Sequence, residues 1–217
     1  MAHYYTNNID LKSQETKIPF DYRDHHLTFV SDFGVFSKDR VDYGSRVLLE
    51  CMNISSSHQS LLDVGCGYGT LGISLKKEYP WLHVEMVDVN ERAVHLANES
   101  IRLNGVDDIE AYVSSIYENV SHCFDVIVSN PPIRAGKKVV FDILEKAYDH
   151  LNNQGELVIV IQKKQGAPSA KKKMEEVFGN CEIVKRDKGY FILKSIKHWF
   201  FKFQKKFWNF WFGIDFN

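Results

Sequence analysis

Cysteine is scarce and poorly placed for structural chemistry. The 4 cysteines of the 217-residue chain, Cys51, Cys66, Cys123 and Cys181, form no Cys-x-x-Cys pair and none of the close Cys/His spacings that zinc requires. Histidines such as His25, His26 and His150 show no metal spacing either, so the expectation is a reduced, metal-free, cytoplasmic protein. An excess of one charge is also missing: 27 Lys and Arg face 28 Asp and Glu, a formal net charge of -1. Such a chain is not built to wrap nucleic acid over its whole surface, although local basic patches stay open to it. No apolar run approaches a bilayer-spanning length, and Met1 to Asp10 lacks the apolar core of a signal peptide. No internal repeat is present. A hydrophobic fraction of 44% against 25% charged residues is that of a folded globular chain rather than a disordered one.

What is present divides into three regions. Residues 1–58 mix polar stretches with a strand-like run, Leu27-Thr28-Phe29-Val30, and a helix near Tyr43 to Met52, where Val47, Leu48 and Cys51 recur at helical spacing. Residues 59–196 alternate strand and helix. Leu61 to Val64, Val84 to Val89, Ala111 to Val113, Phe124 to Ser129 and Leu157 to Gln162 read as strands. Leu71 to Glu78, Arg92 to Leu103 and Val139 to Leu151 read as helices. Short strands separated by helices make βαβ units, and these imply a parallel sheet with right-handed crossovers. Cys181 to Lys185 and Tyr190 to Lys194, joined through Asp187-Lys188-Gly189, read as a hairpin that inserts one antiparallel strand at the sheet edge. Residues 197–217 are unlike the rest: half of His198 to Asn217 is Phe or Trp.

In an open parallel sheet, ligands bind beyond the carboxyl ends of the strands, so the residues just after each strand matter most. The first such loop is Asp63-Val64-Gly65-Cys66-Gly67-Tyr68-Gly69, whose glycines let a ligand approach the backbone before a helix begins. Asp88 ends the second strand, about 20 residues further on, where a carboxylate can accept ribose hydroxyls. Together they indicate a bound nucleoside. Gly67 to Gly72 also satisfies GxGxxG, so a dinucleotide site for NAD, or a plain tight turn, is compatible with these two features alone. Asn130-Pro131-Pro132-Ile133, directly after the fourth strand, separates them. Hydride transfer has no use for it. Methylation of a planar amine does, because the Asn130 side-chain oxygen and the Pro131 carbonyl can accept the two amine hydrogens and aim the nitrogen lone pair, with the prolines fixing the backbone.

These three segments resemble the cofactor loop, acidic strand end and target-amine motif of class I methyltransferases of the small-domain type. Gly34-Val35-Phe36-Ser37 with Asp42-Tyr43-Gly44-Ser45 resembles the entry segment of the ribosomal small-subunit RNA guanine-N2 methyltransferases, and Asn130 to Lys138 and Ile161 to Ser169 are especially similar to compact one-domain bacterial members of that group, the resemblance running from about Tyr4 to Lys194. The resemblance implies a Rossmann-like, doubly wound, seven-stranded α/β sheet of order 3-2-1-4-5-7-6 with strand 7 antiparallel. It implies that S-adenosylmethionine lies over Asp63, Val64, Gly65, Cys66, Gly67 and Gly69, with its ribose on Asp88 beside Val89. Asn130, Pro131, Pro132 and Ile133 hold the target amine, and Asn130 also borders the cofactor. Two residues depart from the family pattern. Ser115 stands where an Asp usually meets the adenine amine, a change worth about 1 kcal/mol of cofactor affinity, and Ile133 replaces an aromatic ring that would stack on the target base.

Arg134, Lys137 and Lys138 follow the fourth strand and Lys163 and Lys164 the fifth, which puts both sets on the cofactor edge of the sheet and suits an RNA phosphate backbone. Lysines in loops are also ordinary solvated surface. A protein glutamine N5-methyltransferase offers its catalyst the same NH2 group and is the alternative substrate class; a non-catalytic nucleotide-binding module, indifferent to Asn130, is the alternative outside enzymes. In the tail, Trp199, Phe200, Phe203, Phe207, Trp208, Phe210, Trp211 and Phe212 alternate with Lys202, Lys205 and Lys206. That composition fits an interfacial membrane helix, an RNA-stacking surface, self-association, packing on its own domain, or an extension without a role.

Overall fold

The computed structural model describes residues 13–199. The run from Phe200 to Asn217, and with it most of the aromatic tail, lies outside the described residues.

The first elements among the described residues are an antiparallel hairpin, β1 (Thr16–Tyr22) and β2 (His25–Ser31), and then α1 (Tyr43–Cys51). Alternation follows: β3 (Ser60–Val64), α2 (Thr70–Glu78), β4 (His83–Asp88), α3 (Glu91–Asn104), β5 (Ile109–Val113) and β6 (Phe124–Ser129). Next come a 3-10 turn at Ile133–Ala135, α4 (Lys137–Ala147), β7 (Leu151–Gln162), a second 3-10 turn at Lys163–Gln165 and α5 (Ala167–Phe178). The hairpin β8 (Glu182–Asp187) and β9 (Tyr190–Ile196) completes the sheet.

The seven strands lie in the order β5-β4-β3-β6-β7-β9-β8, which is the expected 3-2-1-4-5-7-6 once strands are counted from β3. β3, β4, β5, β6 and β7 pair in parallel, and β9 runs antiparallel to both of its neighbours. The fold is therefore the Rossmann-like α/β sheet. Its order reverses between β3 and β6, and that switch point is where the strand ends leave a crevice.

Alternation along each strand feeds two cores. Leu61, Val84, Val126 and Val158 face α1, α2 and α3 through Leu48, Ile73 and Leu96. Leu62, Ile127, Leu157 and Ile159 face α4 and α5 through Leu144 and Met174.

Three local features depart from the sequence reading. The helix expected to reach Leu151 stops at Ala147, and Leu151 instead opens a strand of 12 residues. Its first half, Asn152-Asn153-Gln154-Gly155-Glu156, is too polar to read as strand, and the register against β6 shifts between Phe124 and Val126. β1, not among the expected strands, alternates Ile18, Phe20 and Tyr22 toward the core with exposed Lys17, Pro19 and Asp21, so it carries a period-2 pattern that only Pro19 argues against. α5 begins Ala167-Pro168, a start that proline tolerates, and its apolar face of Ala170, Met174 and Phe178 is diluted by lysines.

Candidate functional site

β3 delivers Asp63 to the crevice. The residue is 1% exposed, its Oδ2 accepts the Gly72 amide at 2.9 Å, and its Oδ1 has no hydrogen-bond partner. Burial, opposed by that amide and reinforced by the nearby Asp88 charge, pushes the Asp63 carboxyl up to about 7. Gly72 sits where a Cβ would come within 2.4 Å of Met86 Sδ, so glycine is what lets α2 approach β4 closely enough to deliver that amide.

The loop after Asp63 is pinned from behind by Gly65 and Cys66 amides on the Val87 carbonyl, at 2.8 and 3.0 Å. Gly67, at φ 57, has open space where a Cβ would stand, and its amide donates to Asp88 Oδ2 at 2.9 Å. Asp88 Oδ1 accepts the Asn90 amide at 2.9 Å. Burial raises the Asp88 carboxyl, and these backbone donors work against the rise. The Cys66 thiol is buried and pushed well above its ordinary range, which makes it an inert wall.

β6 contributes the opposite wall. Ser129 Oγ donates to the Val64 carbonyl at 2.7 Å and holds the ends of β3 and β6 together. The next residue, Asn130, donates its side-chain Nδ2 to Asp42 Oδ2 at 2.7 Å and to Ser45 Oγ at 3.0 Å. Asp42 is the N-cap of α1.

A strap from Gly34 to Asp42 crosses the strand ends and is tied at three points: Gly34 carbonyl to Asn90 Nδ2 at 3.0 Å, Ser37 carbonyl to Tyr68 hydroxyl at 3.2 Å, and Asp42 to Asn130. Together these elements enclose a cavity of about 290 Å³.

Most of the predicted residues line this one cavity: Asp63, Val64, Gly65, Cys66 and Gly67 from the first loop, Asp88 and Val89 from the second, Ser115 after β5, and Asn130, Pro131 and Pro132 after β6. Two lie apart. Gly69 is the N-cap of α2, with φ 90, and turns the chain without facing the cavity. Ile133 borders a separate hollow, with Lys137, Phe141 and Gln165. The basic residues are outside the cavity lining. Arg134, Lys137 and Lys138 are exposed after β6, and Lys163 and Lys164 are exposed after the adjacent β7. Asp42 and Phe36 line the cavity, and the sequence reading gave neither a role of its own. An Asp three residues before Ser45 does signal a helix cap, but nothing local says that the cap touches Asn130.

Among the described residues, no group of three or more His, Cys, Asp or Glu side chains is arranged to hold a metal, and no helix is long and apolar enough to cross a membrane.

The profile of the family Methyltransferase small domain matches residues 26–194. The chain is 48% identical over 197 residues to the uncharacterized protein YbxB of Bacillus subtilis, covering 90% of this chain and 98% of that one. It is 40% identical over 141 residues to ribosomal RNA small subunit methyltransferase C of Aeromonas hydrophila, covering 63% of this chain and 40% of the relative. Among solved structures, the Thermus thermophilus 16S rRNA N2 methyltransferase RsmC, in complex with AdoMet and guanosine, superposes with a TM-score of 0.78 at 25% identity over 87% of this chain and 52% of that one. The chain thus spans about half the length, or less, of these ribosomal RNA methyltransferases. The strand order, the crevice at its switch point and these likenesses agree that the chain belongs to the methyltransferase small domain family and is an S-adenosylmethionine-dependent methyltransferase.

Proposed function

We propose that this methyltransferase acts on the exocyclic amine of a base in RNA, and specifically on guanine N2 of small-subunit ribosomal RNA. The observation that carries the reading is the state of Asn130. Both hydrogens of its amide nitrogen are taken by Asp42 and Ser45, so what remains for a ligand is the Oδ1 acceptor. An acceptor beside the rigid Pro131-Pro132 backbone suits an NH2 group and not a carbonyl or a hydride donor.

The cofactor fits the residues at the cavity. Asp63 Oδ1, buried and without a partner, would receive the amino group of S-adenosylmethionine, and the open side of Gly67 leaves room for the ligand against the backbone. Asp88 would receive the ribose, with Val89 and Ser115 along the adenosine. The cofactor supplies a methyl group on a sulfonium, electrophilic enough that no strong base is needed to begin. Asn130 Oδ1 and the Pro131 carbonyl orient the amine and stabilise the positive charge that grows on its nitrogen. Arg134, Lys137, Lys138, Lys163 and Lys164, exposed along the ends of β6 and β7, would meet RNA phosphates.

The choice of guanine N2 in ribosomal RNA is supported by the relatives named ribosomal RNA small subunit methyltransferase C and by the guanosine bound in RsmC. Nucleoside mass spectrometry of ribosomal RNA from cells lacking the gene tests it. Loss of one N2-methylguanosine is expected. An unchanged profile would turn the search to proteins, with glutamine amides first.

A further inference from the structure

The two ends of an asparagine amide are nearly the same size. A half-turn about its last torsion replaces the acceptor with a donor at almost no steric cost, and a donor facing an amine N–H repels it. Asn130-Pro131-Pro132 contains nothing that prevents this turn. We propose that Asp42 is the positioning residue that prevents it, acting through Asn130; the inference rests on reading Asn130 as the acceptor for the target amine.

The directions of the hydrogen bonds agree around the whole group. An ionised carboxylate only accepts, so Asp42 Oδ2, at 2.7 Å, requires the nitrogen end of Asn130. Ser45 Oγ donates its one proton to Asp42 Oδ2 at 3.4 Å, which leaves its lone pairs for the second Asn130 hydrogen at 3.0 Å. Asp42 is itself anchored, because its Oδ2 also accepts the Ser45 amide at 2.9 Å as the cap of α1. The start of α1 is then fixed against the far hairpin. Tyr43 hydroxyl donates to Asp187 Oδ2 at 3.1 Å, and Gly44 lies so close to Tyr190 that a Cβ would stand 2.9 Å from its ring. The carboxylate is thus a fixed point supplied by the N-terminal segment, and the orientation of Asn130 is read from it.

Capping and positioning are separable. Asp42→Ser keeps an N-cap oxygen for the Ser45 amide but is too short to hold Asn130. Asp42→Asn can place its amide oxygen where Oδ2 now stands and keep both contacts. The test measures kcat and KM for methyl transfer to 16S rRNA and to 30S subunits from cells lacking the gene, for both variants, Asn130→Ala and the double variant Asp42→Ser/Asn130→Ala. In parallel, the side-chain NH2 resonances of Asn130 are followed by NMR in the full chain. Asp42→Ser should lower kcat roughly tenfold with little change in cofactor KM, and should move the Asn130 resonances to solvent-exposed values. Asp42→Asn should stay within about threefold of wild type, and the double variant should be no slower than Asn130→Ala. Unmoved Asn130 resonances in Asp42→Ser, a wild-type kcat there, or a loss that adds fully to that of Asn130→Ala would overturn the inference alone. Asn130→Ala turning over at the wild-type rate, or no methyl transfer to either RNA by the wild-type chain, would overturn the functional reading and this inference with it.

Discussion

Asp63 concentrates the electrostatics of the cavity in one side chain. Its folded carboxyl lies at about 7, above the ordinary 3.8, so between those values the folded protein holds a proton that the unfolded chain has released. Stability of the cofactor-free protein therefore falls as pH rises through that window, and the raised Asp88 adds to the fall in the same direction. Thermal melts at a series of pH values should show the decline, and Asp63→Asn should flatten it; an unaltered slope in that variant would assign the effect to other groups. On the proposed binding mode cofactor affinity should move the opposite way, tightening as pH rises toward 7 and the carboxylate proposed to receive the ammonium becomes ionised, which calorimetric titration would follow. For Asn130→Ala the expectation is a kcat lower by on the order of 100-fold, with stability lowered by about 1–3 kcal/mol for the two hydrogen bonds to Asp42 and Ser45 that are lost. The places of Asp63, Asp88 and Asn130 on the cavity wall were legible in the sequence because each stands at a strand end within two residues of a glycine, asparagine or proline. Asp42 was not, because its role depends on a contact with Asn130, 88 positions away.

At the scale of elements, glycine lets α2 approach β4 closely. A methyl group on Gly72 would meet Met86 Sδ at 2.4 Å and Cγ at 2.6 Å inside a filled core. Gly72→Ala should cost about 1–3 kcal/mol of stability and weaken cofactor binding, since the Asp63 partner amide moves with the helix. Shortening Met86 to Val should recover part of the stability. If Gly72→Ala melted like wild type, the close approach would not be what glycine is for. The strands and helices from β3 to β6 could be read directly, because each apolar run is bounded by turn residues. The first half of β7 could not, since its polar residues pair at a bulge next to β6 and not in a regular ladder. α5 and β1 were hidden for a different reason: each carries a proline, Pro168 at the start of the helix and Pro19 on the exposed face of the strand, which counts against a periodic pattern that is otherwise present.

For the molecule as a whole, a near-neutral chain that carries exposed lysines along one edge of its sheet should bind RNA by that edge. The affinity for 16S rRNA is expected to fall with salt at a slope of about 0.7 per phosphate contact in log units, and Lys163→Ala with Lys164→Ala should lower the slope. Salt-independent binding would remove the electrostatic reading. The parallel α/β sheet with one antiparallel strand followed from the order of apolar segments and the hairpin after residue 180, and its strand order from the family resemblance, whereas the strap over the cavity left no periodic trace, being held by three separate hydrogen bonds to distant loops.

That final hairpin also sets a timetable. β9 lies between β7 and β8, so the sheet has no continuous edge until Tyr190 to Ile196 have been made. Tyr190 is also the ring against which Gly44 packs, and Gly44 is the second residue of α1, whose cap Asp42 holds Asn130. A chain still emerging from the ribosome therefore carries the proposed cofactor loop long before it carries an assembled form of the proposed amine site. Chains stopped at residue 189 should lack methyl transfer and expose the β7 edge to aggregation, which light scattering and an activity assay on the truncated protein would detect.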